Sequence, residues 1–332
     1  MNYLEIKNFP KVDLHCHLDG SIRPEVIKDI ITHDNLNITT DIEILQNNLS
    51  VQIDCNSLVE YLQKFDIPIA CIQSEYGLET ATYSVIEDAF NETIIYLEIR
   101  FAPLFSVNEN LDCDAVVQSV LKGVSRAEAD FDIKVSIILC AMRHQPPEDS
   151  FVLVDIAHKY KDTGVGGIDI AGDEANFPLH LFEKLLDYAN EKNIRYTLHA
   201  GETGDFSNID FAIQKGATRV GHGLAVLKNT ESIRLAYNHN LLFELCPTSN
   251  FQTKACNPDE DYPIKQFLDN SLNVCINTDN RTVSNTSLTD EYVLLQKYIE
   301  VTPEFMRQMA LSAIDMAFAS DEVKNFLYKK IT

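Results

Sequence analysis

Short β-branched runs alternate with longer segments of helical period along most of the chain, regularly enough to predict a fold. The strand candidates are Lys11–His17 and residues 93–100, 133–142, 167–170, 195–200, 219–221, 242–246 and 273–278. Between them, residues 111–130, 150–161, 178–192, 208–215, 231–239 and 262–270 place apolar side chains at helical spacing. Alternating strands and helices imply parallel strands with right-handed crossovers, and eight such units predict an α/β fold, a closed (β/α)8 TIM barrel. An open doubly wound sheet shares the alternation. No GxGxxG or GxxxxGK[ST] follows any strand, however, so the phosphate-binding turns of open sheets are missing.

Residues 20–91 hold several helical patterns and no convincing strand, which reads as a helical insertion between strands 1 and 2, lying over one mouth of the barrel. Within it Leu58, Tyr61, Leu62 and Phe65 follow i, i+3, i+4, i+7, one apolar helix face whose default meaning is core packing. Extra C-terminal helices, within residues 286–327, are expected to pack back on the barrel wall. No Gly/Ser-rich linker, internal repeat or charge block interrupts the chain, so residues 1–332 are expected to form one domain.

Composition narrows the partners. Lys and Arg number 27 against 50 Asp and Glu, a formal charge of −23 that repels phosphate backbones and anionic membranes. A small molecule is the expected partner, with no nucleic acid and no membrane. The longest apolar stretch, residues 135–142, falls far short of the ~20 residues that cross a bilayer. The first residues lack the pattern of a secretory signal, so a cytoplasmic location is expected. Eight scattered cysteines without a CxxC pair suit buried, reduced thiols.

The chemistry gathers at strand ends. His15 and His17 lie two apart in a strand and so point to one side, where both imidazoles can reach one metal. HxH alone is a weak signal. It gains weight because His199 and Glu202 in TLHAGE, His222 in RVGHG and Asp279 in CINTDN end later strands, and strand ends converge on one mouth of a barrel. Glu202, on a turn between Gly201 and Gly204, is a candidate general acid or base, against the plainer reading of a solvated loop glutamate. Asp279 closes an apolar strand, where a nearby cation would offset the cost of burying a carboxylate. His33, His158, His180 and His239 fall in or beside helical segments and read as structural or solvated, and His144 as a packing residue beside the pocket.

The motifs HCHLDGS, KFDIP, EIRFAP, MRHQP, DIAGDE, HAGE, GHG, CPTSN and NTDN, in this order, resemble the adenosine deaminase family of zinc-dependent amidohydrolases over about residues 11–292. The resemblance implies hydrolytic deamination of adenosine, and of 2′-deoxyadenosine, to inosine and ammonia. It implies one zinc ion per chain held by His15, His17, His199 and Asp279, with Glu202 as proton donor to purine N1. It implies that His222 and Asp279 orient the attacking water, that the Gly172 N–H meets purine N3, and that Asp19 lies near the ribose 5′-hydroxyl. His17 also falls among the residues expected at the substrate, and the Leu58, Tyr61, Leu62 and Phe65 face becomes a hydrophobic lid over the nucleoside. The family often carries two aspartates where this chain has Asp279 and Asn280. An amide donates a hydrogen bond at any pH, so Asn280 is expected to keep the contact to purine N7. Deamination of adenine or of a modified adenosine, and non-catalytic adenosine binding, are the alternatives.

Overall fold

The computed structural model describes residues 1–51, 61–257 and 259–331. Eight strands run through them: β1 (Lys11–His17), β2 (Ile94–Phe101), β3 (Lys134–Met142), β4 (Val165–Ala171), β5 (Leu198–Ala200), β6 (Arg219–His222), β7 (Leu242–Leu245) and β8 (Asn273–Ile276). They form two four-stranded parallel ladders in chain order, β1 to β4 and β5 to β8. Backbone bonds close both seams. Ile168 N donates to Arg195 O (3.1 Å) and Thr197 N to Ile168 O (3.2 Å) between β4 and the approach to β5. On the other side His17 N donates to Asp279 O and Asp279 N to His15 O, each at 2.7 Å. The expected TIM barrel is therefore present, with β5 shorter than expected because residues 195–197 meet β4 through a single bridge.

Strand alternation sorts β1 into two faces. Val12 and Leu14 pack with Ala310, Ala313 and Ile314 of the C-terminal helix Pro303–Met316, while Asp13, His15 and His17 take the other face. That helix lies back on the barrel, as expected. The helices between strands bury one stripe each. In Cys113–Asp130 this stripe includes Val116, Val117, Val120, Val124 and Ala127, and the Asp112 side chain caps the start by accepting from Ala115 N.

The insertion before β2 contains the helices Pro24–His33, Ile42–Leu49, Asp66–Cys71 and Glu75–Phe90. Arg23, which precedes the first, pairs with Glu87 and Asp88 of the last and pins the insertion together. Of the expected apolar face Leu58, Tyr61, Leu62 and Phe65, the last three are described, and they depart from a continuous α-helix because residues 63–65 tighten into a 3₁₀ turn before the next helix begins at Asp66. Leu58 lies outside the described residues. Among the described residues no helix is long and apolar enough to cross a membrane, and the seven described cysteines are free and buried.

Candidate metal and catalytic centre

The C-terminal ends of the strands surround a cleft of about 280 Å³. His15 and His17 reach it from β1, His199 from β5, His222 from the end of β6, and Asp279 from just past β8. One ligand atom from each of His15, His17, His199 and Asp279 lies within 4.8 Å of all the others. His17 Nε2 stands 3.3 Å from His199 Nε2, and Asp279 Oδ1 stands 3.4 Å from both His15 Nε2 and His17 Nε2. Donors bound about 2.0–2.1 Å from a tetrahedral ion are separated by about 3.3–3.4 Å, so these spacings are the edges of such a site. His15 Nε2 is buried and makes no hydrogen bond. These donors fit a divalent metal.

Beneath the ligands lies a layer of buried charge. His15 Nδ1 is 2.9 Å from Glu244 Oε2, and His199 Nδ1 is 2.9 Å from Asp169 Oδ2, which turns each Nε2 toward the ion site. Arg100 joins the two carboxylates, donating to Asp169 Oδ2 and Glu244 Oε2 at 2.8 Å each. Arg219 pairs with Glu98 and approaches Glu244 Oε1 at 3.0 Å. All five of these charged residues are buried. None was singled out from the sequence, although an ionisable residue inside an apolar strand, as in LFEL, GGIDIA and LEIRF, is a readable sign of a buried pair.

Opposite the histidines stands Glu202, whose Oε1 accepts from Thr253 Oγ1 (3.1 Å) and whose Oε2 is 3.7 Å from His222 Nε2. Asn250 Nδ2 donates to His222 Nδ1 at 2.9 Å, while Asn250 Oδ1 accepts from the Tyr262 hydroxyl, also at 2.9 Å. That chain leaves the hydrogen of His222 on Nε2, facing the cleft. Burial pushes the His222 imidazole down to about 4, so it is neutral at physiological pH. Both His222 and Asp279 sit at φ 61°, a left-handed conformation that turns their side chains inward as each strand ends.

The cleft wall includes Asp19, Tyr61, Leu62, Phe65, Gly172 and Asn280. Asp19 is buried, its Oδ1 has no hydrogen-bond partner, and burial raises its carboxyl to about 6. Gly172 holds φ 103°, which only glycine adopts without strain. Asn280 Nδ2 donates to the Tyr61 hydroxyl (3.0 Å), which also meets Ser284 Oγ (2.8 Å), and Asn280 Oδ1 is buried without a partner. Tyr61 is buried, and Leu62 is 45% exposed. The remaining histidines stay out of the ion site. His144 stacks on Phe105 at the cleft, ring centroids 5.9 Å apart, and His33, His158, His180 and His239 are exposed on helices or at their ends.

A sequence model of the family described as adenosine deaminase matches residues 10–332. A curated relative named adenosine deaminase, from Enterococcus faecalis, is 40% identical over 331 residues, covering 100% of this chain and 98% of its own. Among solved structures, an N6-mAMP deaminase from Arabidopsis superposes with a TM-score of 0.87 at 26% identity, covering 99% of both chains. An adenine deaminase from Arthrobacter aurescens shares the fold with a TM-score of 0.88 at 24% identity, covering 97% of this chain and 98% of that one.

Proposed function

Because the chain belongs to the adenosine deaminase family, we infer that it hydrolyses adenosine to inosine and ammonia. The observation that carries this reading is the set of tetrahedral edges formed by His15, His17, His199 and Asp279, with Glu202 and His222 facing it across the cleft. Zinc is the ion that suits three imidazoles and a carboxylate, one per chain. The end of β4 reads DIAGDE, without the lysine that a second, bridged metal would require.

A zinc ion held there supplies a Lewis acid that lowers the pKa of water from 15.7 to roughly 7. The residues of the chain do the rest. His222, neutral and with its hydrogen on Nε2, points a donor at the position of the attacking water, and Asp279 orients the same water from the ligand side. Addition at purine C6 disrupts the aromatic ring unless N1 takes a proton, and a protonated Glu202 delivers one. Thr253 donates to Oε1 of Glu202, which leaves Oε2 as the oxygen free to pass a proton to N1. The Gly172 N–H meets purine N3, Asn280 faces N7, and the unpartnered oxygen of Asp19 meets the ribose 5′-hydroxyl. Tyr61, Leu62 and Phe65 cover the base.

Among the described residues lining the cleft there is no Lys or Arg, and Asp19 and Asp173 bring carboxylates. A 5′-phosphate would meet no countercharge there, which favours a neutral nucleoside over a nucleotide. The test is the loss of absorbance near 265 nm with adenosine, 2′-deoxyadenosine, adenine, 5′-methylthioadenosine and N6-methyl-AMP as separate substrates. Adenosine is expected to lead the panel. Turnover of adenine or the nucleotide without adenosine, or binding of adenosine with no spectral change, overturns the reading.

A further inference from the structure

The turn that carries Glu202 is gripped from outside the cleft by a second glutamate. Glu174, in the loop after β4, accepts from Gly201 N at Oε1 (2.5 Å). Its Oε2 accepts from Glu202 N (3.0 Å), Thr203 N (3.1 Å) and Thr203 Oγ1 (3.1 Å). Three consecutive backbone amides that converge on one point form an anion-binding nest, and here the anion is a side chain of the same protein. Gly201 at φ 73° and Gly204 at φ 101° bend the backbone into this shape. Glu174 is 3% exposed, so water does not compete for these bonds.

Without such a hold, a glutamate flanked by Gly201 and Gly204 would swing with its turn. Glu174 fixes the main chain at its base, and Thr253 holds the far end of the side chain through Oε1. Arg143 braces the same region, donating to Phe177 O (2.5 Å) in the loop after β4 and to His199 O (2.6 Å) at the end of β5. Glu174 itself does not line the cleft, and both its carboxylate oxygens are engaged by the turn. We propose that Glu174 is a positioning residue that sets where Glu202 presents its proton, an inference that rests on the role assigned to Glu202 above.

A neutral amide cannot replace it. In Glu174→Gln one end of the side chain becomes a donor facing a backbone N–H, which pushes part of the turn away. The experiment measures kcat and KM for adenosine, metal content and melting temperature in E174Q, E202A and the double variant. The expected result is a fall in kcat of about 10- to 100-fold in E174Q, with KM and metal content near those of the parent. In the E202A background the same substitution changes kcat by less than about twofold, because the group it positions is gone. A merely structural role would lower kcat by the same factor in both backgrounds, and that result, or an unchanged kcat in E174Q, overturns the inference. Parent-like turnover in E202A removes the role of Glu202 and this inference with it. Should E174Q lose its fold or metal, Thr203→Val removes the hydroxyl's bond alone. Its smaller deficit must also vanish with E202A, and a deficit that persists, or none, overturns the proposal.

Discussion

Replacing Glu244 by Gln removes one negative charge and almost no volume from the layer beneath the histidines. The carboxylate accepts from Arg100 Nη2 and Thr197 Oγ1 at 2.8 Å each, pairs with His15 Nδ1 at 2.9 Å and has Arg219 Nε 3.0 Å away. A glutamine amide meets these groups with one acceptor end and one donor end. If the donor end faces His15 and Arg100, His15 relieves the clash by moving its proton to Nε2, which removes the lone pair that faces the ion site. If it faces Thr197 and Arg219, the tautomer survives but two buried guanidinium groups share one carboxylate fewer. Either arrangement leaves a buried cation undercompensated, a loss of about 3–5 kcal/mol. At about 2 °C per kcal/mol, the low end expected for a chain of this length, the melting temperature should fall by roughly 6–10 °C. Loss of the partner that orients a ligand histidine should also weaken metal binding by about 10- to 100-fold. Thermal melting at saturating zinc measures the first effect, and chelator titration with metal analysis the second. A variant that melts with the parent and resists chelator equally would refute the reasoning.

Three further outcomes are expected. Glu202→Gln should keep its metal and lose about 10²–10⁴ in turnover, and near-normal rates would remove Glu202 from the mechanism. Chelator-stripped protein should melt several degrees below the metal-loaded form and bind one zinc per chain on titration; a stoichiometry of two contradicts the single site. Glu291 is buried where Thr248 N (2.9 Å) and Thr286 Oγ1 (2.6 Å) donate to it, and burial pushes its carboxyl from 4.5 up to about 7. The folded chain then holds a proton that the unfolded chain releases, so this group's contribution falls as pH rises from about 4.5 to about 7 and is flat above. Glu291→Gln should escape that fall and gain on the parent by up to about 3 kcal/mol across the window; parallel melting profiles against pH would count against it.

The barrel was legible because its signal is local and repeated. All eight strands lie where the β-branched runs fall, and Lys11–His17 matches end to end. Strand 5 was overdrawn because sequence pattern reports apolar alternation, whereas a ladder also requires a partner at each position, and residues 195–197 have β4 on one side alone. The helix face through Phe65 was read as one continuous stripe, but a 3₁₀ turn ends it; Pro68, which cannot donate, follows three residues later. His15, His17, His199, Glu202, His222 and Asp279 stand out in the sequence by their strand-end positions, and it is the family resemblance that separates four of them as expected ligands. Asp169, Glu244 and Arg100 were harder to place, because each lies on a different strand and only closure of the barrel makes them neighbours. Glu174 was invisible for a different reason, since its partners are backbone amides, which every sequence has.

The charges inside the barrel favour a cation at this mouth. Glu98, Asp169, Glu244 and Asp279 are four buried carboxylates, and Arg100 and Arg219 are the two guanidinium groups that pair among them. Counted by themselves, these six groups carry two more negative charges than positive at and beneath the histidines. Asp13 stands outside this balance, because burial pushes its carboxyl up, toward the protonated form. A dication at the three imidazoles and Asp279, as proposed above, would offset that excess and extend the ion-pair network from the barrel floor. The same coupling accounts for the strained backbone at Asp279. A left-handed residue costs about 1–3 kcal/mol, yet its amide and carbonyl are tied to His15 O and His17 N across the seam that closes the barrel. The bonds that shut the fold therefore also aim Asp279 into the cleft, so the proposed ligand and the closure of the barrel share the same few atoms.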